Sequence, residues 1–527
     1  MSKHDTKSET EEANRMWASA SFVGVLIIIG LPLWWKTTEV YRVALPYDKI
    51  NAFDTDSHYI STELTVLAND DETAQEVARQ IERAFRDSDV IKLKIKKQVI
   101  PNKLQHLLDS VADEQEALED VGAAFDIKKH NTFFVIQRKP LYQDVWVGNE
   151  RVAFFRDVKA CSTIVQALEK WIYEPSVLIG ARSEVADAAR QIRFPSAPGY
   201  HVVLSVVHPN PQEMKVNFNP RDAIEDYIGS FVDELTDLHN FTLKSQWLHL
   251  LDFDFEYVDI VRKDGRRVRQ VSAERLPLLL TRLEERAATH VSEWPTLNLA
   301  LYVVPCSHAP LVLEHDDKEI TPPVQAFMSP KWGGVVLGNP TAEECQAQLY
   351  TPPVNLIMGT FLSQLRKLLG ITDKARVAGG RLAAPARVPP RGWELDALLR
   401  LRALQQLASA ETSLKSLAKL LGEISNIVIN DDVGASINLA VSGIHLATEH
   451  MERGDLLEAH RYSQRAFLAA ETAFMEPSLL ALLYFPDDQK YAIYIPLFLP
   501  IMFPVVLSLK NLLLWFRGKP VHKEKTD

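Results

Sequence analysis

Nineteen consecutive residues, Trp17 to Trp35, carry no charge, and a stretch of that kind has few places to go. As an α-helix rising about 1.5 Å per residue it spans roughly 28 Å, close to the ~30 Å hydrocarbon core of a bilayer. Arg15 and Lys36 bracket it. Trp34 and Trp35 fall at one interface, where indole rings prefer to lie. A second apolar run, Tyr491 to Leu509, lies near the other end of the chain. The pattern predicts one large soluble body held to a membrane at both of its ends.

The flanks argue for permanent anchors. The tail before Trp17 mixes Lys3, Lys7 and Arg15 with Asp5, Glu9, Glu11 and Glu12, and the run ends in bulky tryptophans rather than a small-x-small cleavage site. Both features favour an uncleaved span over a signal peptide. The second run is followed by Arg517, Lys519, Lys523 and Lys525, whereas a removable GPI-attachment signal ends in its apolar segment. Basic flanks stay cytosolic. The charges around the first run are nearly balanced, but those around the second place the C-terminus in the cytosol. Two spans then put the N-terminus there too and the bulk of the chain in the lumen. Lys510 either marks the interface or snorkels toward it.

The body from Lys36 to Lys490 holds 455 residues, too many for one core. It carries 50 basic and 63 acidic residues, a net charge of −13. So acidic a body is a poor polyanion binder, which argues against nucleic acid as a partner. Three cysteines, Cys161, Cys306 and Cys345, allow at most one internal disulfide and leave one thiol over. Their spacing suits no metal. One N-x-[ST] sequon, Asn240-Phe241-Thr242, lies in the segment placed in the lumen and makes Asn240 a candidate glycosylation site.

Hydrophobic periodicity predicts strand and helix in alternation. Ile60, Thr62, Leu64 and Val66 alternate as a strand. Val77, Ile81 and Phe85 share a helix face opened by Asp71 and Glu72. Ile91, Leu93 and Ile95 alternate with Lys92, Lys94 and Lys96, as on an edge strand. Leu104, Leu107, Leu108 and Val111 form another helix face. Strands follow at Phe133–Val135, Val145–Val147 and Val152–Phe155. The same order returns from His201: a strand to Val207, a helix from Ile224 to Leu238, then strands over Phe241–Trp247 and Leu251–Tyr257. A hairpin turn at Asp264-Gly265, a helix over 273–288 and a strand over Leu297–Val304 complete it. The repetition suggests two related α/β units, about 36–195 and 196–376.

Val377 to Gly392 is rich in glycine, proline and alanine and has no apolar period, so it reads as a linker or exposed loop. From 393 to 485 the character is all-helical. Leu407, Leu414, Leu417, Leu421 and Ile424 have heptad-like spacing, and Gly454 stops one helix where Asp455 and Glu458 open the next. Leu456, Leu457, Tyr462, Phe467 and Phe474 supply the expected buried face of a small bundle. The expected fold is thus an α/β lumenal body of mixed sheets with packed helices, plus a C-terminal helical bundle. Transmembrane helices flank it at 17–35 and 491–516, with cytosolic tails 1–16 and 517–527.

A search for chemistry finds weak constellations. Cys306-Ser307-His308 puts a thiol and an imidazole two residues apart, but a catalytic pair must meet in space with the base oriented by a third group. An ordinary strand end explains it better. His315, Asp316 and Asp317 read as a charged turn rather than a metal cluster, and Asp252, Asp254 and Glu256 as a solvated strand face. Gly333-Gly334 reads as a tight turn beside a strand. No P-loop, G-x-S-x-G, G-x-G-x-x-G or H-E-x-x-H motif occurs. Neither a cofactor nor a metal is predicted, and no catalytic residue is assigned.

The two membrane-proximal segments, GLPLWWKTTEVYRVALPY (Gly30 to Tyr47) and YFPDDQKYAIYIPLFLP (Tyr484 to Pro500), resemble the PIG-S family of GPI transamidase subunits. WGGVV, Trp332 to Val336, is the most family-like piece between them. The resemblance implies residence in the endoplasmic reticulum membrane and a part in attaching GPI to the C-termini of proproteins. It implies a non-catalytic, accessory role. A separate caspase-like subunit supplies the catalytic Cys and His, and multi-span membrane subunits complete the complex. Two other readings stand beside it: an independent lumenal thiol hydrolase using Cys306 and His308, and a lumenal binding module for the GPI glycan or a substrate propeptide. In the exit segment, Pro486, Asp487 and Asp488 are expected to stop the preceding helix. Pro496, Pro500 and Pro504 recur every four residues and each removes a backbone donor, so a kinked span that packs against partner helices is expected.

Overall fold

The computed structural model describes residues 3–30, 32–33, 36, 41–183, 193–195, 197–253, 255–261, 267–272, 276–287, 292–315, 318–319, 323–371, 373–384, 389–424, 427–481 and 487–517. They form two compact units. The larger comprises Phe53–Glu411 and Val441–Leu468; the other comprises Met1–Ala52, Thr412–Ala440 and Ala469–Asp527. Trp34, Trp35, Asp254, the Asp264-Gly265 turn, Asp316, Asp317, Pro486 and the basic tail beyond Arg517 lie outside the described residues.

The larger unit contains two principal sheets. The first uses β1 (Ile60–Ala68), β2 (Ile91–Val99), β3 (Thr132–Gln137), β4 (Val145–Val147) and β5 (Val152–Phe155). The periodicity that predicts β1 and β2 is realised: β1 is buried along most of its length, while β2 sits at the sheet edge with Lys92, Lys94 and Lys96 exposed. Between them runs the helix Asp71–Phe85. The Asp70 carboxylate accepts from the Thr73 N–H at 2.7 Å and caps it, and Ala74, Val77, Ala78, Ile81 and Phe85 are buried. Helices Asn102–Ser110 and Glu114–Ala124 lead into β3.

The second sheet uses β6 (Gly199–His208), β8 (Asn240–His249), β11 (Thr296–Val303), β14 (Gln325–Ser329) and β15 (Gly333–Gly338). A small sheet of β9 (Val258–Val261), β10 (Arg267–Ser272), β12 (Leu311–His315) and β13 (Lys318–Glu319) and a short pair, β7 (Lys215–Val216) with β16 (Leu349–Tyr350), accompany it. Each principal sheet has its own core. Leu67, Ile136, Trp146 and Phe154 lie in one; Val207, Phe253, Tyr302 and Val335 lie in the other. Burying a side chain of this size contributes about 1.5–3 kcal/mol.

Several expectations are corrected. The described residues of the run Leu251–Tyr257, at 251–253 and 255–257, form no strand. Phe253 and Phe255 are buried against Tyr302, whose hydroxyl donates to Asp252 at 2.7 Å, so Asp252 is held by the core residue instead of standing on a solvated strand face. Alternation shows which side chains are buried, but not that a neighbouring backbone is free to pair. The helix expected to reach Leu238 runs from Pro220 to Asp233 through a π-helical turn at Glu225–Gly229, and Leu235 and Leu238 are buried beyond its end. Gly333 and Gly334 are not a turn but the start of β15. A Cβ on Gly333 would stand 1.8 Å from the Asn298 carbonyl oxygen, so this close approach admits no side chain. Within the 377–392 segment read as a linker, β17 (Gly380–Leu382) pairs in parallel with β4 and extends the first sheet.

Three long helices follow, Gly392–Glu423, Asp431–Arg453 and Leu456–Phe474. The heptad-like leucines are buried as expected, and Gly454, at φ 94°, separates the second helix from the third. The third helix buries a smaller-residue face than expected. Ala459, Ser463, Ala466, Ala470 and Ala473 are enclosed, while Tyr462, Phe467 and Phe474 are half-buried. Small residues permit close approach: a Cβ on Gly443 would lie 3.0 Å from that of Ala466. The three helices follow one another through the segment expected to be helical.

In the smaller unit, the Val43 N–H donates to the Ile429 carbonyl at 3.1 Å and the Ile429 N–H to the Tyr41 carbonyl at 3.0 Å. Arg42 donates to the carbonyls of Leu421 and Ile424 at the end of the first long helix, the place where a cation suits the exposed carbonyls. The helices Lys3–Val25 and Asp487–Phe516 pack together, with Met16, Val23 and Val505 buried. Asp487 and Asp488 open the latter helix rather than stop the one before it, and Pro496, Pro500 and Pro504 all lie inside it. Among the described residues, no helix is long and apolar enough to cross a membrane.

Candidate functional sites

The suggested thiol pair is absent. Cys306 is joined to Cys345, with Cα atoms 5.8 Å apart, so it offers neither a free thiol nor a nucleophile to His308. His308 instead lies beside the Tyr257 ring. The bond fastens the loop after β11 to the helix Ala342–Ala347, which opens with a capping box between Thr341 and Glu344. Cys161 is the thiol left over. Burial, with Glu76 and Asp157 nearby, pushes it above the ordinary thiol range, away from nucleophilic use. Among the described residues, no cluster of His, Cys, Asp and Glu is arranged to hold a metal ion. Asn240 is exposed at the first position of β8, which forms the edge of its sheet.

The densest chemistry lies where periodicity does not look for it. Glu394, Asp396, Arg400, Arg402, Gln406 and Glu411, all on the first long helix, are each at most 2% exposed. Asp396 takes a bidentate pair of hydrogen bonds from Arg151, at 2.7 and 2.8 Å, a third from the Asn131 N–H at 3.1 Å, and lies 2.9 Å from His130 Nδ1. Burial alone would raise the Asp396 carboxyl. Hydrogen bonds from Arg151 and His130, with the charges of Arg151 and Arg400, hold it below the usual carboxylate range instead. The Trp393 indole donates to the Gly148 carbonyl at 2.9 Å. Arg400 donates to the Ile172 carbonyl, and Glu411 lies 2.6 Å from His58. On the side of the second sheet, Glu394 accepts from Arg366 twice at 2.9 Å, and Arg402 donates to the carbonyls of Phe194 and Leu369.

One helix therefore bolts both sheets, and its polar groups have partners that repay much of their desolvation. A sequence signal existed. The leucines, alanines and Trp393 of WELDALLRLRALQQLASAE are spread round the helix instead of gathered on one face, which marks a helix enclosed on all sides.

These features define an α/β protein of two similar sheets held by a shared buried helix. The chain matches the family described as PIG-S, Phosphatidylinositol-glycan biosynthesis class S protein, over residues 21–519. It is 32% identical to the GPI-anchor transamidase component PIGS of Homo sapiens, with 98% of each chain covered. It is 24% identical to the GPI transamidase component PIG-S homolog of Schizosaccharomyces pombe, covering 93% of this chain and 82% of that one. Against GPI transamidase component GPI17 of Saccharomyces cerevisiae the identity is 22%, over 92% of this chain and 90% of that one. The chain belongs to the PIG-S family.

Proposed function

We propose that this chain is a non-catalytic accessory subunit of a GPI transamidase complex, supporting assembly and substrate presentation while a separate caspase-like chain carries out transamidation and multi-span subunits complete the complex. What carries the reading is family membership together with the Cys306–Cys345 bond, which removes the best nucleophile in the sequence. We place the chain in the endoplasmic reticulum membrane with two spans, near 17–35 and 491–516, and both termini cytosolic. The uncharged runs support this, as does the apolar surface left uncovered on the terminal helices: Trp17, Phe22, Ile28, Ile495, Phe503 and Phe516 are all exposed, as suits contact with lipid or with partner helices. Pro496, Pro500 and Pro504 are proposed to face partner helices, and Asn240 to carry an N-glycan.

Purification of the tagged full chain from membranes in mild detergent tests this, with co-purifying chains identified by mass spectrometry and transamidation measured on the recovered complex. A caspase-like chain and several multi-span chains are expected in fixed ratio, with activity unchanged by Cys161→Ala. Recovery of the chain alone, or loss of turnover in an intact complex on Cys161→Ala, refutes the proposal. A mobility shift on endoglycosidase treatment that disappears in Asn240→Gln is expected for the glycan. Replacing the three prolines by alanine is expected to lower the yield of the complex.

A further inference from the structure

The two principal sheets are the same construction used twice. The spatial order β2-β1-β3-β5-β4 in the first is matched by β8-β6-β11-β15-β14 in the second, with every neighbour pair parallel except the last, which is antiparallel in both. The registers agree residue by residue. Glu63 pairs with Thr132 and Phe134 with Val152; His201 pairs with Thr296 and Asn298 with Gly333. The backbone hydrogen bond from the Phe134 N–H to the Arg151 carbonyl, 2.9 Å, recurs from Asn298 to Trp332 at 3.1 Å. That from Glu63 to Asn131 recurs from His201 to Pro295. Four residues, Gly148 to Arg151, join the first antiparallel pair and three, Pro330 to Trp332, the second; Val147 pairs with Ala153 as Met328 does with Gly334, so Glu150 corresponds to Lys331 and Arg151 to Trp332.

Each copy has a cavity between the helix preceding the third strand and the turn that joins the antiparallel pair; the first reaches the loop after that helix, the second the start of the third strand. In the first copy, Asp396 and Trp393 of the long helix fill the inner side of this corner. What stays open is a cavity of about 380 Å³ whose lining includes the carboxylates of Glu119, Asp126 and Glu150. In the second copy too, among the described residues, none of the long helix lines the cavity. It measures about 260 Å³ and is lined by Phe194, Pro195, Glu284, Pro295, Thr296, Asn298, Lys331 and Trp332. The charge at the turn is reversed: an exposed lysine stands where the first copy has a glutamate. Lys331 adopts φ 55°, a left-handed conformation that costs a non-glycine residue energy and that clusters at functional positions. The Trp332 indole N–H beside it is buried and has no hydrogen-bond partner among the described residues.

We infer that the second corner is a binding site for the oxyanion of a small polar ligand, taking from outside the kind of group that Asp396 supplies to the first corner from within. Lys331 is the cation that receives the carboxylate or phosphate. Thr296 and Asn298 offer hydrogen bonds beside it, and Glu284 accepts from a hydroxyl or N–H elsewhere on the same molecule. The volume lies a little below the ~300 Å³ at which pockets for drug-sized molecules begin, so the ligand is about the size of one sugar or one amino acid. The inference stands apart from the subunit reading, since it concerns binding by this chain alone.

Isothermal titration of the purified full chain in detergent tests it, with glucose 6-phosphate, N-acetylaspartate, inorganic phosphate and glucose as separate titrants. Glucose 6-phosphate and N-acetylaspartate distinguish a sugar phosphate from a peptide-like carboxylate as the source of the oxyanion. Saturable binding of at least one of these two is expected, tighter than that of inorganic phosphate, with none for glucose. Lys331→Ala is expected to weaken it about fivefold, the effect of losing one exposed charged contact. Lys331→Glu, which restores the charge of the first copy, is expected to abolish it, and Glu284→Gln to weaken it less than Lys331→Ala. Failure of both organic probes to saturate by about 10 mM, a concentration corresponding to negligible affinity, overturns the inference. So does a Lys331→Glu protein, folded by circular dichroism, that binds as the parent does.

Discussion

The two halves of the larger unit share a backbone and differ in what closes it. In the first, the corner between the third strand and the β4–β5 turn is closed from inside by Asp396, which holds Arg151, His130 and the Asn131 N–H together. In the second, the equivalent corner stays open beside Lys331, and the fastening lies elsewhere, in the Cys306–Cys345 bond and the Arg366–Glu394 pair. Backbone hydrogen bonds fix strand order and register in both copies. They constrain the turn side chains very little, so one frame accommodates a buried ionic bolt at the turn of one copy and an exposed lysine at the turn of the other.

The largest expected contrast comes from the bolt itself. Asp396→Asn leaves Arg151 buried without its counter-charge, and a loss of about 3–5 kcal/mol is expected in denaturant unfolding, the usual result of breaking a buried pair from one side. Lys331→Ala, on the equivalent turn of the second copy, should change stability by less than about 0.5 kcal/mol, as surface substitutions do. Equal effects would dissolve the contrast.

Opening the disulfide comes next. The bond spans a sequence separation of 39, and Cys345→Ala is expected to cost about 2–4 kcal/mol, with the protein's mobility on non-reducing gels changed accordingly. The loss belongs to the second half, because both cysteines of the bond lie there. Unchanged unfolding of Cys345→Ala would show that the Arg366–Glu394 pair alone fastens that half.

A smaller effect is pH-dependent. His239 and His460 are buried with ring centroids 6.2 Å apart; His239 bonds the Ala197 carbonyl and His460 lies 3.3 Å from that of Leu238. Burial first, then the Arg402 charge, pushes His239 well below its usual value. Burial, with further lowering by Arg402 and Arg461, takes His460 down to about 4. Both are neutral when folded, so the stability they carry is present above about pH 6.5, the unfolded value, and is lost as pH falls toward the folded values. For His460 the loss between pH 7 and pH 5 is about 2 kcal/mol. His460→Gln should flatten that part of a stability–pH profile.

Much of this design was legible in the chain. Alternation locates β2 and helical spacing the helix Asp71–Phe85, because each buries one face and wets the other, while β1, β3 and β6 are buried along most of their length and show as short apolar runs. The odd cysteine count fixed one spare thiol, though it did not say which. The aromatic run Leu251–Tyr257 misleads because burial alternates there without a paired edge. The strand Gly380–Leu382 hides because three residues are too few to show a period. Asp396 was illegible as a site: its partners Arg151, His130 and Asn131 lie about 250 residues away in sequence, and no local pattern carries that distance.

Hydrogen exchange with mass spectrometry on the full chain, parent against Asp396→Asn, tests most directly whether the two copies are fastened separately. Faster exchange is expected in the 130–155 segment and at the start of the first long helix, with β6, β11 and β15 protected as before. Uniform acceleration through both sheets, or none in the first, would contradict a bolt specific to one of two like halves.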